Sequence, residues 1–139
     1  MSIDLKGLRI LMADDDIYNM RPTIDALEAR GAVVLVARSG TEAIDALSDR
    51  VFDLVILDIM MSSGPKIKTD DQGRSAGLKV HSQIRKGRNA NVPIVVSTVV
   101  SDPEAINSFG DDPLCIVLNK PYTFSQLKDA IEQLLSPKS

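Results

Sequence analysis

The tightest constraint on how this chain can fold is an alternation in which five apolar runs of strand length are each followed by a segment of helical period. The candidate strands are Leu8 to Ala13, Val33 to Ala37, Asp53 to Leu57, Pro93 to Thr98 and Leu114 to Leu118. They are rich in Val, Ile and Leu and nearly continuous in apolar character, as burial on both faces of a sheet requires. Strands alternating with helices give a parallel sheet covered by helices. The first helix should bury Ile17, Met20, Ile24 and Leu27, and the fifth Phe124, Leu127, Ile131 and Leu134, each set repeating at helical spacing. Gly31, Ser39-Gly40-Thr41, Asp102-Pro103 and Thr123 supply the breaks and caps between them. No internal repeat, low-complexity tract or linker divides the chain.

Two of these runs end in acid. Leu8 to Ala13 leads into Asp14, Asp15 and Asp16, and Leu54 to Leu57 leads into Asp58. If both are parallel strands of one sheet, their carboxylates meet at its carboxyl edge, where open α/β sheets place their ligands. An acidic pocket of that kind suits magnesium, which takes one or two carboxylates and completes its shell with water and phosphate oxygens. Phosphate chemistry is therefore expected beside the metal.

Length and composition narrow the field further. At 139 residues and 15.1 kDa the chain has material for one domain with a proper core, so one domain over residues 1–139, with a core of about 6–136, is expected, without an appended effector. With 44% hydrophobic and 25% charged residues it has a globular composition, and no apolar run approaches the roughly 18 residues of a membrane span. Met1 to Leu5 carry no secretory signal pattern, and the single cysteine, Cys115, excludes an internal disulfide. A cytoplasmic protein is expected. The net charge of -3 argues against nonspecific nucleic-acid binding, which needs cationic neutralisation of phosphates.

Four segments together carry a resemblance. They are Ile10-Leu11-Met12-Ala13-Asp14-Asp15-Asp16, Asp53-Leu54-Val55-Ile56-Leu57-Asp58-Ile59-Met60-Met61, Pro93-Ile94-Val95-Val96-Ser97-Thr98, and Asn119-Lys120-Pro121. In this order, each at the end of a predicted strand, they resemble the receiver domain of response regulators in two-component signalling. The resemblance implies a flavodoxin-like α/β fold in three layers, with five helices around a five-stranded parallel sheet of order 2-1-3-4-5.

It also implies roles. Asp58 would be the phosphoacceptor, taking a phosphoryl group from a phosphohistidine on a histidine kinase or histidine phosphotransfer protein. Asp15 would bind magnesium directly and Asp14 mainly through water, with Asp58 and the backbone carbonyl of Met60 completing the protein's share. Thr98 would hydrogen-bond one phosphoryl oxygen and Lys120 would pair with another. Such a domain catalyses its own phosphotransfer and autodephosphorylation. It acts through a separate downstream protein, as a monomer or a phosphorylation-dependent dimer, with no nucleic acid or membrane partner. The residue types make sense without the family. Clustered carboxylates resist joint ionisation until a cation neutralises them, and phosphoryl transfer is catalysed mainly by positioned cations. A hydroxyl can rotate to donate when a phosphoryl oxygen arrives, and cis geometry costs little at Lys120-Pro121.

Other readings stay open at this level. Asp14 to Asp16 would serve equally as helix caps, whereas Ile59, Met60 and Met61 after Asp58 do not read as a helix start. His81 shares a helical face with Gly77, Val80 and Ile84 and has no second histidine in the chain, so packing is expected of it, as it is of Cys115. A pseudo-receiver acting as an unphosphorylated interaction module is the main alternative, though Asp14, Asp15, Asp58, Thr98 and Lys120 are all present. A magnesium-dependent phosphohydrolase would need an acid two places after Asp58, where Met60 stands.

The departures from the family pattern make the chain particular. A long polar segment, residues 62–76, leaves the Asp58 strand and must lie near the site. It is either a flap or partner contact using Lys66, Lys68 or Arg74, or an insertion without effect, and deleting Lys66 to Arg74 separates the two. Val117 stands where many members have an aromatic ring that moves inward, so the signal must be read out differently. Gly110-Asp111-Asp112-Pro113 lengthens the approach to the last strand. Val99, where a small residue is usual, narrows access to the phosphoryl group, so slow dephosphorylation is expected. Val99→Ala should then shorten the phosphoryl lifetime; an unchanged lifetime would remove the crowding argument.

Overall fold

In a computed structural model, residues 5–58, 76–98, 107 and 109–135 are described. The elements run β1 (Arg9–Ala13), α1 (Ile17–Ala29), β2 (Val33–Ala37), α2 (Gly40–Asp49), β3 (Leu54–Asp58), α3 (Ala76–Lys86), β4 (Ile94–Thr98), β5 (Cys115–Asn119) and α4 (Phe124–Leu135). The five strands form one parallel sheet in the order β2-β1-β3-β4-β5. The parallel sheet is what the strand–helix alternation called for, and the strand order is the flavodoxin-like one that the resemblance implied. Of the fourth predicted helix only residues 107 and 109–110 are described, and they are helical. Met60, Val99 and residues 62–75 of the long polar segment lie outside the described residues. No described helix is long and apolar enough to cross a membrane.

Each strand feeds both faces of the sheet because successive side chains alternate. Leu11, Ala13, Val55, Leu57, Ile94 and Val96 point to one side and pack with Ala43 and Leu47 of α2, Val80 and Ile84 of α3, and Phe109. Ile10, Met12, Leu54, Ile56 and Val95 point to the other and meet the α1 and α4 stripes. All four predicted apolar positions of α1 are buried, while in α4 Leu127 and Ile131 are buried and Phe124 and Leu134 pack as half-buried neighbours. Three layers result.

The caps follow the sequence closely. Asp16 caps α1, its side chain accepting from the Asn19 backbone, and Ser39 Oγ accepts from Glu42 N at 3.1 Å at the start of α2. Thr123 and Gln126 bond reciprocally, Gln126 N to Thr123 Oγ1 at 3.1 Å and Thr123 N to Gln126 Oε1 at 2.8 Å, closing a capping box ahead of α4. Gly31 turns the chain out of α1 with φ +90, and a Cβ there would meet Lys6 Cα at 3.0 Å, so no other residue fits without strain.

Strand ends differ from expectation by a residue in β1, β3, β4 and β5, and the causes are local. Asp53 drops out of β3 because its carboxylate accepts from Arg9 N at 2.8 Å and Arg9 Nε at 3.3 Å. Leu114 drops out of β5 because its N–H is held by Asp112 Oδ1 at 2.9 Å. At the other end β3 runs one residue further, so that Asp58 pairs in register with Ser97.

The lower end of α2 is secured by one buried amide. Asn89 accepts from Phe52 N at 2.9 Å and donates to Leu47 O at 2.9 Å and Arg50 O at 2.8 Å. Removing it strands two carbonyls and an N–H, and a buried polar group left without a partner costs on the order of 1–3 kcal/mol. Asn89→Ala should therefore lower unfolding stability by roughly 2–4 kcal/mol in urea titration. A change near zero would mean that these groups find other partners.

Candidate functional site

The pairing of β1 with β3 decides where the acids go. Ala13 is in register with Leu57, so Asp14 and Asp58, the next residue of each chain segment, emerge side by side at the carboxyl edge. Both are nearly sealed from solvent, at 1% and 6% exposure, while Asp15 is exposed at the rim. Donor oxygens of Asp14, Asp15 and Asp58 lie within 4.8 Å of one another. The sequence expected this convergence. It did not anticipate that a cation of the protein itself is already present between two of the acids.

That cation is Lys120. Its ammonium donates to Asp14 Oδ2 at 2.8 Å and to Asp58 Oδ2 at 3.4 Å, reaching across from the end of β5. Burial alone would push the Lys120 pKa down, but the bond to Asp14 and the charges of Asp58 and Asp14 outweigh it and hold the ammonium above its usual range. The other Asp14 oxygen accepts from Asp16 N at 2.9 Å, which fixes the carboxylate's orientation. A cleft of about 570 Å³ opens over this pair, lined among others by Asp15, Asn19, Met20, Thr23, Pro121 and Tyr122. The Lys120–Pro121 bond is cis.

Thr98 ends β4 in register with Asn119, which puts its backbone at the same sheet edge, one residue from Lys120. Val117 is half-buried and packs on the α2 and α3 side of the sheet. Tyr122 is different in kind: its ring packs on the α1 and α4 side and its hydroxyl is sealed from solvent. Burial holds the phenol above its usual pKa, with Ser97 and Lys120 opposing. The buried Ser97 Oγ is the polar neighbour that opposes burial at Tyr122, though the contact falls short of a well-formed hydrogen bond and neither hydroxyl has another partner among the described residues. Two such hydroxyls cost on the order of 1–3 kcal/mol each if left unpaired, and sequence reasoning gave no hint of them.

This geometry invites comparison with known proteins. The family model of the response regulator receiver domain matches residues 10–132, a span that includes Asp14, Asp15, Asp58, Thr98 and Lys120. The chain belongs to this family. A receiver protein from Sinorhizobium medicae is 30% identical with a TM-score of 0.75, covering 94% of this chain and 96% of its own. The response regulator TrrA of Thermotoga maritima, whose structure is a complex with Mg(2+)-BeF, is 29% identical with a TM-score of 0.71, covering 92% of this chain and 99% of its own. The transcriptional regulatory protein ZraR of Escherichia coli is 29% identical over 131 residues, 94% of this chain but 27% of that protein. The receiver domain thus spans about a quarter of the length of that curated relative, 27%.

A second cluster was not foreseen. His81 and Arg85, one turn apart on α3, meet Asp112 and Cys115 below the sheet: His81 Nε2 lies 2.8 Å and Arg85 Nε 2.7 Å from Asp112 Oδ2. His81 also stacks on Phe109 with ring centroids 4.8 Å apart, so the packing role expected for it holds, with a polar partner added. The His81, Asp112 and Cys115 donors are close enough for a metal, yet the Arg85 guanidinium fills the cation's place. It donates to Asp112, to Ala90 O and Val92 O at 3.0 and 2.8 Å, and to Cys115 Sγ at 3.7 Å. Burial, and then Asp112, push the Cys115 thiol up to about 12, which leaves it a packing residue and a poor nucleophile.

Burial would raise the Asp112 carboxyl, but hydrogen bonds from His81, Arg85 and Leu114 N overcome it and hold its pKa well below the carboxylate range. A depressed folded pKa contributes stability that is complete above the ordinary carboxylate range and is lost as pH falls toward the folded value. Asp112→Asn should cost roughly 2–4 kcal/mol near neutral pH, because the Arg85 charge loses its buried partner. The deficit should shrink in acid unfolding titrations; a deficit independent of pH would show that charge is not what Asp112 contributes.

Proposed function

We propose that this receiver domain accepts a phosphoryl group on Asp58 in a magnesium-dependent reaction and switches the binding of another protein as a result. The observation that carries the reading is the Lys120 ammonium held between Asp14 and Asp58, at 2.8 and 3.4 Å, on the wall of an open cleft. A lysine placed so can follow charge as it moves from the carboxylate to an incoming phosphoryl group. In a pseudo-receiver the lysine would serve only to neutralise the two buried acids.

The reaction follows from the chain's own groups. An Asp58 carboxylate oxygen attacks the phosphorus of a phosphohistidine, an O–P bond forms, and the P–N bond breaks. The imidazole leaves with the electron pair and takes a proton from solvent. Lys120 meets the charge spread over the phosphoryl oxygens, which is where catalysis of phosphoryl transfer mostly acts. Thr98, at the adjacent strand end, is assigned the hydroxyl that bonds another phosphoryl oxygen.

The donor set fits magnesium. It consists of hard carboxylate oxygens, two buried and one at the rim, within 4.8 Å of one another, and it falls short of a complete protein cage, as magnesium prefers. Asp15, Asp14 and Asp58 would hold the ion together with the Met60 carbonyl. When bound, magnesium supplies positive charge for the carboxylates and the phosphoryl oxygens. Family membership supports a histidine kinase or histidine phosphotransfer protein as donor; a probable histidine kinase of rice is among the relatives, 24% identical over 151 residues. The product is an acyl phosphate, and the altered surface engages a downstream protein.

Incubation with acetyl phosphate should add one phosphoryl mass to the intact protein only when magnesium is present, and Asp58→Ala should abolish the increment. An increment that survives in Asp58→Ala would move the acceptor elsewhere. Failure of the folded wild type to take a phosphoryl group from either acetyl phosphate or phosphohistidine proteins would favour an interaction module.

A further inference from the structure

The end of α3 and the turn after it carry three cations, Arg85, Lys86 and Arg88, and the fold uses one of them. Arg85 is engaged by Asp112, Ala90 O and Val92 O, and with the helix dipole this accounts for a basic residue in the last turn. Lys86 and Arg88 are exposed, and among the described residues neither side chain has an ion-pair or hydrogen-bond partner. Both border a groove of about 290 Å³ between α2 and α3, floored by Ile44, Leu47 and Ile84. Among the described residues its lining holds these two cations and no acid, in a chain whose acids outnumber its bases by 19 to 16.

Gly87 stands between the two cations and lines the same groove. Its φ lies outside the left-handed region, and a Cβ there would meet only Gln83 O, at 3.7 Å, an ordinary van der Waals contact. Neither backbone nor packing requires glycine at this position, and what its missing side chain leaves is room in the groove. We propose that this groove docks an acidic segment of a partner protein, which sets one apolar side chain on Leu47 and Ile84 and its carboxylates against Lys86 and Arg88. The volume is just under the roughly 300–1,000 Å³ of small-molecule pockets, so the groove suits one anchoring side chain better than a cofactor.

The groove lies at the amino edge of the sheet, where α2 and α3 end and where Asn89 bonds Leu47 O, Arg50 O and Phe52 N just ahead of β3. Asp58 is at the other end of β3, on the carboxyl edge. A partner seated in the groove therefore leaves the cleft over Asp58 open to a phosphodonor. The apolar floor supplies surface to be removed from water. The two cations decide which segments are accepted, because a basic segment meets like charge there and an acidic one does not.

The probe is a short peptide with one phenylalanine flanked by glutamates, titrated into isotope-labelled protein and followed by heteronuclear NMR. Amide shifts should gather at Ser48, Gln83, Gly87 and Arg88 and spare Asp15 and Tyr122 at the phosphoacceptor cleft. Lys86→Glu combined with Arg88→Glu should weaken the peptide by roughly tenfold, and added salt should weaken it in the wild type. Gly87→Leu should block binding while the thermal unfolding midpoint is kept, whereas Gly87→Ala should bind nearly as the wild type does. Lysines in place of the peptide's glutamates, or alanine in place of its phenylalanine, should abolish the shifts. Absence of shifts in the wild type, shifts that gather elsewhere, or a charge-reversed protein that binds equally well would overturn the proposal. So would a concentration-dependent dimer in sedimentation that the same charge reversals dissolve, since the groove would then belong to a second copy of this chain.

Discussion

Two buried carboxylates side by side are unfavourable, since each loses hydration and each repels the other. The parallel pairing of β1 and β3 nevertheless forces Asp14 and Asp58 together, and Lys120 is the group that makes the arrangement tolerable. Its ammonium is itself largely buried and is held charged by the same acids that need it. The three charges therefore depend on one another, and they draw on three of the five strands. The rest of the fold can be seen as holding this triad: β1 and β3 set the acids, the end of β5 delivers the lysine, and the two apolar layers fix the strands that carry them.

Much of this was legible in the sequence. Continuous apolar runs separated by helical segments leave few options besides a parallel sheet, and the residues 17, 20, 24 and 27 stripe of α1 is buried as its spacing requires. The caps at Ser39 and Thr123 were readable because capping chemistry is local. Strand ends were less so. Asp53 looks like a strand residue until its carboxylate is seen to bond Arg9, a partner 44 residues away.

The contacts that sequence reasoning missed are likewise nonlocal. Nothing in the order of residues reveals that His81 and Arg85 meet Asp112, 31 and 27 residues on, although their one-turn spacing on a helix is the trace such a shared partner leaves. The bond between Lys120 and Asp14 spans 106 residues. The buried hydroxyls of Ser97 and Tyr122 were invisible for a further reason: each residue type is ordinary where it stands, and only their burial beside each other makes them informative. The resemblance to a known family supplied the roles of Thr98, Lys120 and Met60, whereas the convergence of Asp14, Asp15 and Asp58 followed from strand physics alone.

Magnesium affinity is where the charge arrangement can be tested most directly, by calorimetric titration of the wild type and of Asp14→Asn, Asp15→Asn and Asp58→Asn. If the three carboxylates form one cation site, the wild type takes up a single ion and each substitution weakens that binding. Wild-type protein that binds no magnesium, or binding that all three substitutions leave unchanged, would contradict the shared site on which the function assigned here depends.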